Sequence, residues 1–214
     1  MRITQSYSLT EGGAVAVCLD HEDARGHESS VGRPQPMTEV KVLDLAGNPV
    51  PTGEVGEIHL RSPGVSIGYW EMPEANAETF VDGWCKTGDL GRISEDGFLT
   101  LAGRSKDMFR SGGENVYPAE LEKVLTGHED VGDAAVIGVP DKKYFEVGAA
   151  VVVAAEGRTI DVEALRTFMI ERLAKYKVPR YFHVVAELPR NISGKVLKTV
   201  LREQFAPDQD PTES

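Results

Sequence analysis

The chain has 214 residues, 41% hydrophobic and 27% charged, which suits one or two soluble globular domains. Its net charge of −11 argues against nucleic acid as the main partner, and its longest apolar run, residues 147–155, is far too short to span a bilayer. The charge is uneven: residues 1–103 carry 7 basic and 16 acidic groups, whereas residues 104–206 carry 16 and 15, so cations for an anionic ligand concentrate in the second half. Cys18 and Cys85 fit no metal spacing, and two free thiols suggest a reducing compartment. The N-terminus shows no apolar run of a signal peptide.

In chain order, Tyr7, Thr10 and Glu11 precede the pair Gly12-Gly13. A hydroxyl beside a carboxylate suits phosphate and Mg²⁺, because hard cations prefer oxygen ligands; it equally suits a turn capped by Thr10. Residues 18–30 are polar and read as a loop. Residues 39–43 and 57–61 alternate apolar with polar, the pattern of half-buried strands, and the sequences AGNP and PTG between them are turn chemistry. Residues 84–88 lead to Asp89, and Glu95-Asp96-Gly97 marks a hairpin turn. These segments read as a small antiparallel β unit.

Residues 103–122, GRSKDMFRSGGENVYPAELE, join this unit to a second one. A charged turn, a Gly pair and Pro118 at a helix start read either as a hinge lined by a ligand channel or as an ordinary linker. Beyond it the spacing predicts a helix over 118–125 and strands over 134–139 and 147–154. Asp161 caps a helix carrying Val162, Leu165, Met169 and Leu173, a strand follows over 181–185, and a basic helix over 195–205. The order α, β, β, α, β, α in about 100 residues makes one small α/β domain. Residues 207–214 offer nothing to bury and read as a disordered tail. Lys195 follows Ser193-Gly194, and its ammonium suits phosphate oxygens, although a surface-loop lysine opening a basic helix has the same spacing. Lys198 and Arg202 look like a solvated face.

Four blocks together carry a resemblance: YSLTE (7–11), GWCKTGDLG (83–91), GRSKDMFRSGGENVYPAELE (103–122) and PRNISGKVLK (189–198), with GEVGEIHLRSPGVSIGYW between the first two. In this order they resemble the C-terminal part of adenylate-forming acyl-CoA synthetases of the fatty-acid–CoA ligase type. The resemblance implies an α/β fold: the end of a large AMP-binding domain with a small β-barrel-like subdomain over 1–103, a hinge over 104–107, and a lobe over 108–206 with a three-stranded sheet flanked by helices. It implies ATP, Mg²⁺ and CoA as ligands, AMP as a product, and a carboxylic acid, a fatty acid or related lipid, as substrate.

The same resemblance implies roles. Tyr7 lies against adenine, Thr10 bonds the α-phosphate, and Glu11 holds Mg²⁺. Asp89 accepts from the ribose hydroxyls and Arg104 reaches the ribose. Asp107 is the hinge, Gly112 and Gly113 line the pantetheine channel, and Lys195 is the adenylation lysine. Three positions depart from the family pattern: Ser8 and Phe145 where glycine is usual, and Glu129 where proline is common. No Gly-rich phosphate loop precedes Tyr7, so the reading is of a truncated ligase nearly inactive alone, with exposed apolar surface favouring association with itself or a full-length relative. The alternatives are a non-catalytic module binding CoA, nucleotide or a relative, and a remnant without function. A cytoplasmic location follows, with an apolar acyl ligand allowing peripheral membrane contact.

Overall fold

The computed structural model describes residues 3–13 and 15–206, so the tail expected over 207–214 lies outside the described residues. The chain divides into two compact units between Lys106 and Asp107, within the stretch read as a hinge.

Unit 1 is antiparallel throughout. Strands β1 (Gln5–Tyr7), β2 (Val17–Leu19) and β3 (Arg33–Pro34) form a small sheet in that order. Strand β2 thus takes Cys18 out of the loop expected over 18–30. A larger sheet combines β4 (Glu39–Leu43), β5 (Gly56–Arg61), β6 (Phe80–Val81), β7 (Trp84–Ile93) and β8 (Leu99–Arg104) in the order β4-β5-β7, with β6 and β8 both paired to β7. The expected hairpin turn at 95–97 joins β7 to β8. A short helix, α1 (Pro73–Thr79), starts on its proline, where the missing N–H costs nothing. Alternation on β5 buries Ile58 and Leu60 completely against Tyr7, Val17 and Leu99. Ile67 and Trp70 stay exposed.

Unit 2 opens with the hairpin β9 (Phe109–Ser111) and β10 (Glu114–Val116), which the periodicity did not reveal. Helix α2 (Pro118–Leu125) follows, then the long antiparallel pair β11 (Val131–Asp141) and β12 (Phe145–Ala154). Helix α3 (Val162–Ile170) is capped by Asp161, whose side chain accepts from the amides of Glu163 and Ala164. Strand β13 (Tyr181–Val185) pairs parallel to β12, and α4 (Lys198–Phe205) closes the described chain. The three expected strands are therefore present, and the β9–β10 hairpin extends their sheet to five. Two apolar clusters flank it. Val136, Ala150 and Val152 pack with α2 and α3, while Ile137, Val139 and Val151 pack with Leu201 of α4. Burial on both faces explains why β11 and β12 read as continuous apolar runs rather than alternating ones.

The last helix corrects two expectations. It begins at Lys198, because residues 191–195 are folded into a turn of their own and Arg190 bridges Val196. Lys198 and Arg202 are not a solvated face: Lys198 Nζ lies 2.6 Å from Glu122 Oε1 on α2, and Arg202 Nη2 lies 3.5 Å from Asp107 Oδ1. Among the described residues, no helix is long and apolar enough to cross a membrane.

Candidate functional site

In unit 1 the predicted residues Tyr7, Asp89 and Arg104 come together. Register does much of this, since Asp89 and Arg104 are direct partners across β7 and β8. Opposite β5, the ladder skips from Glu57–Leu90 to His59–Lys86, so residues 87–89 bulge out of the pairing. Bulges of this kind re-aim side chains. Thr87 staples the bulge: its hydroxyl donates to the Ile58 carbonyl at 2.7 Å and accepts from the Asp89 amide at 3.0 Å. Glu57 accepts from the Gly88 amide at 3.2 Å.

The Asp89 carboxylate, 8% exposed as a residue, accepts from the Tyr7 hydroxyl at 2.9 Å and from Arg104 Nε at 2.7 Å. An ionised carboxylate offers about four lone-pair positions, so about two are left for further donors. Burial pushes the Tyr7 hydroxyl well above the usual phenol range, and its bond to Asp89 adds to the shift although Thr87 and Arg104 oppose it. Tyr7 is therefore a neutral donor at ordinary pH. It is also only 7% exposed, so most of its ring is committed to the core.

Thr10 and Glu11 lie on a single 3₁₀ turn, Thr10–Gly12. Gly13 has φ 90°, and a Cβ there would meet the Gly64 carbonyl oxygen at 2.6 Å, so the turn requires glycine twice over. Ser8 closes the same turn by donating to the Gly13 carbonyl at 2.6 Å, which gives that departure from the family pattern a use. Glu11 Oε1 accepts from Tyr69 at 2.7 Å. No group of three or more metal-ligating side chains occurs among the described residues; this turn offers the single carboxylate of Glu11.

Unit 2 carries the other predicted residues. Gly112 and Gly113, with φ 60° and 91°, form the two-residue turn between β9 and β10. That turn type needs positive φ at both central positions, and a Cβ on Gly113 would meet nothing within 4 Å. Backbone conformation, not crowding inside this unit, therefore selects the glycines. Gly112 borders a cavity of about 410 Å³ shared with Ser111, Tyr144, Lys175, Tyr176 and Arg180, a size within the range of small-molecule sites. Phe145, next to Tyr144 in sequence, has φ 69° and is exposed, so its position favours glycine for the same conformational reason.

Lys195 is exposed, and its ammonium has no partner among the described residues. Its loop, by contrast, is fixed at the backbone. Asn191 Oδ1 accepts from the Ser193 amide (3.1 Å), the Ser193 hydroxyl (2.8 Å) and the Lys195 amide (2.9 Å). Lys195 does not border the cavity. Asp107, tied to Arg202, begins unit 2. Sequence reasoning missed Thr87, Tyr69, Lys175, Tyr176 and Arg180. Thr87 and Tyr69 stood inside quoted blocks, while the last three carried no signal of their own.

In unit 1 a buried acid with spare acceptor positions and a hydroxyl–carboxylate turn have the chemistry to meet a hydroxyl-bearing, phosphorylated ligand; in unit 2 a lysine without a partner among the described residues stands on a loop tied at its backbone. The comparisons agree with that class. The AMP-binding enzyme family matches residues 1–70, and the AMP-binding enzyme C-terminal domain matches residues 120–195. Among relatives, a fatty acid–[acyl-carrier-protein] ligase, ScoC, from Streptomyces coeruleorubidus is 43% identical over 94% of this chain and 39% of its own length. A long-chain-fatty-acid–CoA ligase, FadD13, from Mycobacterium tuberculosis is 42% identical over 96% of this chain and 41% of its own length. The o-succinylbenzoate CoA synthetase of Bacillus subtilis, solved with its acyl-adenylate, superposes at TM-score 0.89 with 39% identity, over 94% of this chain and 41% of that one. The same enzyme has been solved with ATP and a magnesium ion. The chain belongs to the AMP-binding enzyme family. It spans about two fifths of the length of the relatives it matches.

Proposed function

We propose that this chain forms the nucleotide-ribose acceptor, hinge, thiol channel and adenylation lysine of an ATP-dependent acid–CoA ligase. In the first step the substrate carboxylate attacks the α-phosphorus of ATP, forming acyl-AMP and releasing pyrophosphate. In the second the CoA thiol attacks the acyl carbon, forming the thioester and releasing AMP. The observation that carries the reading is the Asp89 carboxylate, held at a sheet bulge by Tyr7 and Arg104 with acceptor positions to spare.

In this reading Asp89 takes the ribose hydroxyls, Arg104 flanks the sugar, and the exposed part of Tyr7 meets adenine. Thr10 donates to the α-phosphate and Glu11 would hold Mg²⁺, which when bound neutralises phosphate charge. Lys195 brings an unpaired cation to the phosphate as negative charge builds there. Losing one such contact commonly costs about 100-fold or more in rate. Asp107 is the pivot, and the cavity beside Gly112 takes the pantetheine arm, with Lys175 offering a cation to its phosphates while Arg180 is held by Asp141. A fatty acid or related apolar acid is the substrate class, supported by the fatty-acid ligases among the relatives, while the o-succinylbenzoate enzyme marks aromatic acids as the competing class. Exposed Ile67 and Trp70 favour association with further protein surface.

The test uses a ligase polypeptide that contains this chain. Lys195→Ala abolishes ATP–pyrophosphate exchange with a panel of carboxylic acids and spares thioester formation from supplied acyl-adenylate. Equal loss of both half-reactions contradicts the assignment of Lys195.

A further inference from the structure

Glu11 stands on a turn of only three residues, too short to fix a side chain by itself. What surrounds it is a brace built from residues nearly sixty positions away. The Tyr69 hydroxyl donates to Glu11 Oε1 at 2.7 Å, and the Ser66 amide donates to the Glu11 carbonyl at 2.8 Å. The loop over 66–69 thus holds Glu11 at both side chain and backbone. That loop is itself clamped by Asn76 of α1. Asn76 Oδ1 accepts from the Tyr69 amide at 2.6 Å, and Asn76 Nδ2 donates to the Tyr69 carbonyl at 2.9 Å. Gly68 makes the clamp fit: its φ is 143°, and a Cβ there would lie 3.0 Å from the Asn76 side chain. The Tyr69 ring rests against Phe80 at 5.5 Å between centroids, which limits its rotation.

We infer that Tyr69, clamped by Asn76, is a positioning residue that orients the Glu11 carboxylate toward a divalent cation. The inference rests on the proposed reading of Glu11 as the magnesium carboxylate. With Oε1 held by Tyr69, Oε2 is the oxygen presented to the cation. A carboxylate fixed this way loses less freedom on binding than a free one, the general reason that outer partners of a metal ligand matter.

The experiment uses the 214-residue chain, wild type and Tyr69→Phe, with ¹³C-labelled glutamate. Phenylalanine keeps the ring against Phe80 and removes only the donor. Relaxation order parameters of the Glu11 methylenes fall in Tyr69→Phe while the melting temperature holds, and unchanged order at Glu11 overturns the inference. Asn76→Ala, which loosens Tyr69 without deleting its hydroxyl, lowers the same order parameters by less; it supplies the readout should Tyr69→Phe fold poorly, and unchanged order there overturns the inference too. A second arm titrates Mn²⁺ with ATP present and follows paramagnetic broadening at Glu11. Wild type broadens, and Tyr69→Phe needs about tenfold more Mn²⁺; equal midpoints overturn the positioning role. No broadening at Glu11 in wild type, with reduced order in the variant, instead overturns the reading of Glu11 as the metal carboxylate and leaves the brace standing.

Discussion

The two units present their candidate site charges in opposite ways. In unit 1, Asp89 is enclosed and bonded by Tyr7 and Arg104, and its backbone is stapled by Thr87. In unit 2, Lys195 is exposed and its ammonium has no partner among the described residues, although the loop beneath it is tied by Asn191. The acid is oriented before any ligand arrives, which lowers the entropy lost on binding. The lysine keeps its charge uncommitted on a fixed base, which suits a group that must meet charge developing elsewhere. Neighbouring cations underline the contrast: Lys198 and Arg202, one and two turns beyond, are spent on Glu122 and Asp107.

Stability separates the two designs most strongly. Asp89→Ala leaves the Tyr7 hydroxyl and Arg104 without their acceptor and costs unit 1 about 2–3 kcal/mol, read by urea denaturation. Lys195→Ala, touching nothing, stays within about 0.5 kcal/mol of wild type. Equal losses would break the comparison. A smaller effect sharpens it: Asn191→Ala costs about 1 kcal/mol and speeds hydrogen exchange at the Ser193 and Lys195 amides, leaving unit 1 unchanged. Phe145→Gly relieves the left-handed backbone and gains up to about 1 kcal/mol in thermal or chemical unfolding, offset in part by glycine's greater freedom when unfolded.

The smallest effect is a difference in pH response. His27, whose ring nitrogen lies 2.9 Å from Asp96 Oδ2, is raised above 6.5, chiefly by that hydrogen bond. Its contribution to unit 1 is present below pH 6.5 and disappears as pH rises through the raised value. His183 stacks on Phe205, and burial lowers it below 6.5. Its contribution to unit 2 is present above pH 6.5 and disappears as pH falls through the lowered value. Imidazole NMR titrations should show the two midpoints on opposite sides of 6.5, and midpoints on the same side contradict the structure.

Local signals were legible where local physics decides. The bounds of α2 and β13, and the cap at Asp161, could be read directly, because Pro118, the apolar run at 181–185 and the carboxylate cap act within a few residues. The Gly112-Gly113 pair gave away a special backbone but not the hairpin, since strands of three residues carry too little periodicity. Lys198 and Arg202 were misread because a basic helix face looks solvated until its partners arrive from α2 and residue 107. The candidate site residues come from resemblance. What the sequence could not supply is how they are held, because the bulge at 87–89 and the Tyr69–Glu11 bond are products of register and of contacts 58 residues apart.

The central claim is that Asp89 is a preorganised acceptor with room for two more donors. The most direct measurement is a titration of the ¹⁵N-labelled chain with AMP, wild type and Asp89→Asn, followed residue by residue. The account predicts saturable shifts at Tyr7, residues 87–89 and Arg104 in wild type, lost in Asp89→Asn. Shifts that persist in the variant, or a wild-type chain whose Asp89 region does not respond to millimolar AMP, would contradict it.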